Sequence, residues 1–200
     1  MSDLDPARTA LVTNECQVGA ISDEALWPAL REAAVPMVPV LARLVDDARR
    51  AGVRIVHFLA VRRPDMLGAN RIAPLFDVST RAKNLVLGSS SVELIPELGP
   101  EPSDLVLRKT HGVASIRSTG LDNVLRNLGV DTVVLTGVSL NVAIPALGFE
   151  AVNLGYRVVI PRDAVAGVPI EYGDEVLRNS MSLVADVVDA DDVRAIWADC

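Results

Sequence analysis

Two side chains of opposite charge, Glu15 and Lys109, each stand at the end of an apolar, β-branched run. If those runs lie side by side in one sheet, a carboxylate and an ammonium meet at its edge, and such a pair can move a proton and hold negative charge. For Glu15 to act as an acid its pKa must rise; an apolar pocket pushes it up, and Lys109 pulls it down. A third element is the turn Gly137-Val138-Ser139-Leu140-Asn141-Val142-Ala143-Ile144, which follows the apolar run 132–138 and opens a helix. An open α/β sheet presents its reactive group at such a turn. Here that position carries Ala143, whose methyl group neither attacks a carbonyl nor holds a metal. Ser139 can donate a hydrogen bond but has no neighbouring base to make it a nucleophile. Asn141 is placed to cap the helix that follows.

Other reactive side chains are secondary. Arg62, Arg63, Arg71 and Arg81 surround an irregular segment and are suited to a carboxylate-bearing ligand, with Arg62 nearest a strand end. His111 falls two residues beyond Lys109 and either faces the same pocket or sits on the loop, whereas His57 is mid-strand and reads as a core residue. Cys16 adjoins Glu15, but side chains alternate along a strand, so a Glu15 that faces the pocket turns Cys16 away. The two histidines and two cysteines make no metal-binding spacing and no CxxC pair. Neither GxGxxG, GxxxxGK[ST] nor GxSxG occurs, so no nucleotide cofactor and no serine nucleophile are expected.

The elements that must position these groups follow from periodicity. Strands are expected at 9–14, 53–61, 104–108, 132–138, 157–161 and 185–188, with helices at 38–51, 118–128, 141–154, 173–184 and 191–198. The segment 62–103, carrying five prolines and a Gly-Ser-Ser-Ser run, is expected to form short helical turns and a lid. Strands alternating with helices imply a parallel sheet with right-handed crossovers. Two hundred residues, half of them apolar, suit one domain spanning 1–200. A net charge of −7 disfavours nucleic acid. There is no apolar run of ~20 residues to cross a bilayer, and the start lacks a signal peptide's pattern, so a cytoplasmic protein is expected.

These residues together resemble the isochorismatase-like, or cysteine hydrolase, family. The run TALVTNECQ (9–17) is similar to the family's strand ending in Asp-x-Gln, with Glu15 in place of the aspartate and Gln17 matching. DLVLRK (104–109) resembles its Asp-x-Val-x-x-Lys strand, which puts the catalytic lysine at Lys109. The helix from Ser118 through Leu121 and Leu125 resembles its Gly-Thr-x-Leu-x-x-x-Leu pattern, and 135–165 resembles the strand, nucleophile turn and helix, with the family's cysteine falling on Ala143. The resemblance covers roughly residues 8–190. It implies a doubly wound α/β fold with six parallel strands in the order 3-2-1-4-5-6 and helices on both faces, and commonly a cis peptide before the residue matching Ser139.

Thiol-dependent members use aspartate and lysine to activate their cysteine, a route that Ala143 closes. Metal-binding members carry histidine after the second strand; the run Ala60 to Asp65 has none, so no metal is expected. Some members hydrolyse a vinyl ether without a cysteine, using the first-strand carboxylate as acid. The resemblance therefore implies a hydrolase of a small metabolite that needs neither thiol nor metal, a vinyl ether being the most concrete substrate. Glu15 and Lys109 would be catalytic, with Gln17, Arg62, His111, Val138, Ser139 and Ala143 lining the pocket. The alternative is a catalytically silent member that binds a small molecule or regulates a partner. Members are commonly oligomeric, and the apolar residues Ile144, Leu147, Phe149, Ala151 and Val152 surround much of one helix, so a homodimer or higher homo-oligomer is expected.

Overall fold

The computed structural model describes residues 4–110, 112–113 and 116–198. Its sheet contains β1 (Thr9–Asn14), β2 (Arg54–Ala60), β3 (Leu105–Lys109), β4 (Thr132–Val138), β5 (Arg157–Pro161), β6 (Val165–Ala166) and β7 (Asp186–Val188). All pairings between these strands are parallel, in the order β3-β2-β1-β4-β5-β7, with the two-residue β6 attached to β4. The expected order is present, its sixth place filled by β7. β6 is too short to give a hydrophobic period, which is why sequence patterning passes over it.

The helices are α1 (Val18–Ile21), α2 (Pro28–Ala34), α3 (Met37–Ala51), α4 (Pro74–Arg81), α5 (Leu121–Asn127), α6 (Ala143–Asn153), α7 (Ile170–Asn179) and α8 (Ala190–Ala198). β1 and β4 are buried along their whole length, as strands covered on both faces must be. Leu11 packs with Leu41, Leu44 and Trp197 on the α3 and α8 side. Val12 and Phe58 pack with Leu125, Ile144 and Leu147 on the other side. Burial of this extent is the main stabilising term, at about 25 cal/mol per Å² of apolar surface.

Several helix boundaries differ from the sequence reading. α5 starts at Leu121 because Gly120 is left-handed (φ 79°) and interrupts the turn before it. α6 starts at Ala143 with Val142 in the cap position and no side-chain cap, so Asn141 does not cap it. α7 begins directly after Pro169 and ends at Asn179. α2, in which only Ala33 and Ala34 are buried, falls in a stretch that sequence patterning leaves unassigned. In the irregular region, α4 is flanked by a parallel bridge between Arg62 and Val86 and followed by an antiparallel bridge between Gln17 and Leu94.

β3 is one of the two edge strands, and only its last residue, Lys109, is buried. Charges hold both its ends. Asp104, just before it, accepts from Arg49 of α3 at 2.6 Å, from His57 Nε2 at 3.2 Å and from the Glu101 backbone at 2.8 Å. His57 Nδ1 in turn lies 2.8 Å from Thr13 Oγ1. Since an ionised carboxylate only accepts, the His57 proton sits on Nε2 and Nδ1 accepts from the Thr13 hydroxyl. His57 is thus a fully paired core residue, as expected.

Candidate active site

The carboxyl ends of β1 to β4 converge, and the chain turns there in ways that follow from single residues. Asn14, the last residue of β1, is fully buried; its Nδ2 donates to the Val138 carbonyl, and its Oδ1 accepts from Lys109 Nζ at 3.1 Å. One amide thereby ties β1 to both β4 and β3. Asn14 was not singled out by its type, although a polar residue closing an apolar strand beside Glu15 was the available signal. At Gly137 an added Cβ would overlap the Asn14 carbonyl oxygen and crowd Cys16 Sγ, and its φ is 94°. Only glycine permits β1 and β4 to close so tightly there.

Glu15 lies just beyond β1 in a left-handed conformation, φ 53°. Its N–H donates to Phe58 at 2.9 Å and its carbonyl accepts from Gln17 at 2.8 Å. A non-glycine residue rarely adopts this geometry, and such strain gathers at functional sites. The side chain is three-quarters buried and its Oε1 lies 2.5 Å from Lys109 Nζ. Lys109 is almost wholly buried; its ammonium also sits 3.4 Å from the Val113 carbonyl and 5.3 Å from the Phe58 ring centroid. Cys16 turns into the core, as alternation suggested, although the left-handed turn at Glu15, not a continuing strand, separates the two side chains. Burial pushes the Cys16 thiol well above its ordinary range, with the Glu15 charge adding to the effect.

Glu15, Arg62, Lys109, Ser139 and Ala143 line one cleft of about 120 Å³. Its apolar walls include Trp27, Leu30, Phe76 and Val142, and residues from α4 and its flanks close one side. Arg62 Nη1 donates to the Asn84 carbonyl at 3.0 Å. Burial lowers the Arg62 pKa from its ordinary value, against the opposite pull of Glu15. The peptide between Val138 and Ser139 is cis.

Two residues expected in the lining are engaged elsewhere. Gln17 is fully buried; its amide donates to the Ala60 and Val92 carbonyls, both at 2.9 Å, and accepts from the Ala60 N–H at 2.8 Å. All three bonds are to backbone, so Gln17 clamps the loops behind the cleft. Val138 points into the core, where it packs with the α3-side cluster. His111 lies outside the described residues. Arg63 pairs with Asp65 at the surface, and Arg71 and Arg81 reach Asp77. Among the described residues no group of three or more His, Cys, Asp or Glu side chains could hold a metal, and no helix is long and apolar enough to cross a membrane.

The isochorismatase domain model matches residues 9–192. The chain is 29% identical over 176 residues to the isochorismatase family protein YwoC of Bacillus subtilis (strain 168), covering 88% of this chain and 87% of that protein. It is 31% identical over 148 residues to the ureidoacrylate amidohydrolase RutB of Methylorubrum extorquens (strain ATCC 14718 / DSM 1338 / JCM 2805 / NCIMB 9133 / AM1), covering 67% of this chain but only 59% of that protein. Among solved structures, a cysteine hydrolase from Pseudomonas syringae pv. phaseolicola 1448A superposes with a TM-score of 0.86 at 24% identity, covering 98% of this chain and 95% of that one, a likeness of fold.

Proposed function

Because this chain belongs to the isochorismatase family, we propose that it is a hydrolase of a small carboxylate-bearing metabolite, working in the cytoplasm as a homo-oligomer and using neither thiol nor metal. The observation that carries this reading is the 2.5 Å contact between Glu15 and Lys109 in a cleft that Ala143 also lines. With no thiol among the lining residues, covalent attack on an amide lacks its nucleophile, whereas vinyl ether hydrolysis requires only an acid, a shaped pocket and water. In this mechanism Glu15 must first take up a proton at the expense of its ion pair with Lys109; it then delivers that proton to the terminal vinyl carbon, and positive charge develops on the carbon bearing the ether oxygen. Water adds to that carbon and gives its proton back to the Glu15 carboxylate, and the resulting hemiketal releases the alcohol and a ketone. Lys109 stabilises the Glu15 carboxylate left by the transfer, and the apolar walls exclude competing solvent. The relative named for acting on ureidoacrylate, an acrylate, agrees with a small carboxylate-bearing ligand.

The test is turnover of a vinyl ether by the wild type and by Glu15→Gln. Loss of turnover in the variant with an unchanged melting temperature supports the acid role, and unchanged turnover removes Glu15 from the mechanism. Absence of turnover in both, with retained ligand binding, favours the silent binder, in which Glu15 and Lys109 merely neutralise each other.

A further inference from the structure

Among the described residues lining the cleft, Glu15, Arg62 and Lys109 are the ionisable groups. Glu15 and Lys109 are paired with each other, so their charges cancel locally. Arg62 remains. Among the described residues no carboxylate lies within ion-pair distance of it, and its one hydrogen bond, from Nη1 to the Asn84 carbonyl, fixes one arm of the guanidinium and leaves Nε and Nη2 unengaged. Neither nitrogen is among the buried polar atoms left without a partner, so both reach solvent, and a ligand anion would displace water from them. Its planar fork matches a carboxylate, which accepts two parallel N–H bonds. Among the described residues the lining thus carries a net charge of +1 and one open anion-binding group.

Size gives the second constraint. A dry cavity of ~150 Å³ admits benzene, and the space here is about 120 Å³. The ligand body is therefore on the order of six heavy atoms, packed against Trp27, Leu30 and Phe76. Resting on the reading of this cleft as the substrate site, we propose that Arg62 is its anion anchor and sets specificity for a small monoanion whose carboxylate sits on the guanidinium. Among the described lining residues a second carboxylate meets no further unpaired cation.

Isobutyrate and isobutyramide are inert probes of the same shape that differ in charge, and titration calorimetry reads their affinities. The wild type should bind isobutyrate about tenfold or more tighter than isobutyramide, and methylmalonate no tighter than isobutyrate. Arg62→Gln should bring the isobutyrate-to-isobutyramide ratio near one without altering isobutyramide binding; Arg62→Lys should retain only part of it. A wild-type ratio near one, a ratio unaffected by Arg62→Gln, a tighter methylmalonate complex, or no isobutyrate binding up to roughly 100 mM would each overturn the proposal. Should Arg62→Gln fail to fold, the wild type still decides: isobutyrate, and not isobutyramide, must slow phenylglyoxal modification of Arg62, read by peptide mass. Glu15→Gln separates this proposal from the acid mechanism, since it should abolish turnover yet keep the binding ratio at or above the wild-type value.

Discussion

At the scale of single residues, the site combines a carboxylate, an ammonium and a methyl group. The methyl group is testable. Ala143 opens α6 within the cleft that Lys109 lines, and both a helix start and an ammonium favour a thiolate. Ala143→Cys should therefore be alkylated by iodoacetamide much faster than Cys16, which is fully buried and held protonated. Labelling of the new thiol no faster than ~8.5-pKa model thiols would show that the turn no longer favours a nucleophile. Asn14 supplies a second residue-scale prediction. Asn14→Leu leaves the Val138 carbonyl without its donor and removes one partner of Lys109. It should cost about 1–3 kcal/mol in denaturant unfolding. A loss below ~0.5 kcal/mol would mean that Asn14 does not tie the strand ends together.

At the scale of elements, β3 depends on the charges at its ends more than on apolar burial. Its buried lysine reaches the cleft only if the strand keeps register on β2, and Asp104 sets that register from the opposite end. Asp104→Ala removes the nearest carboxylate of Arg49, which keeps Asp46 and Glu101 at 3.4 and 3.8 Å, and leaves His57 Nε2 without its acceptor; it should destabilise the fold by about 3 kcal/mol. The same network predicts how stability changes with pH. Burial holds His57 below its ordinary value of 6.5, although Asp104 pulls the other way. As pH falls below 6.5 the unfolded imidazole takes up its proton first, so native stability declines from there down to the folded value. Burial pushes Asp104 up, but Arg49, the Glu101 N–H and His57 outweigh it and lower it from 3.8. Its contribution is complete above 3.8 and is lost as pH falls through the folded value. His57→Gln should remove the upper of these two windows, visible as a flatter melting temperature between pH 6.5 and the acid limb. An unchanged slope there would show that His57 is not the group responsible.

At the scale of the whole molecule, the expected oligomer needs a different surface from the one the sequence suggested. Ile144, Leu147 and Ala151 of α6 are fully covered by their own chain, and Phe149 alone of the large residues on that helix is substantially exposed. Apolar surface remains elsewhere, near the cleft at Leu67 and Ile72, the latter 97% exposed, and around α7 at Ile170, Tyr172 and Leu183. Sedimentation at micromolar concentration is expected to give a species heavier than the 21.3 kDa chain. A monomer there would withdraw the homo-oligomer.

The sequence by itself determined the sheet. Short runs rich in apolar and β-branched residues, such as 9–14 and 132–138, are too short for helices and read as strands buried on both faces, and the helices between them imply parallel crossovers. It also located Glu15, Lys109 and the 137–144 turn at strand ends, because strand ends are local properties of the chain. Only the tertiary structure decided which groups face the cleft. Gln17 adjoins Glu15 in sequence, yet its amide is spent on backbone groups that arrive from Ala60 and Val92. Asn14 became a junction because β3 and β4 both end beside it, and Arg62 was left with open donors because Asn84 meets only one of its arms. Hydrogen-bond partners come from distant segments, and their geometry is set when the sheet closes, so residue type and spacing alone do not encode them.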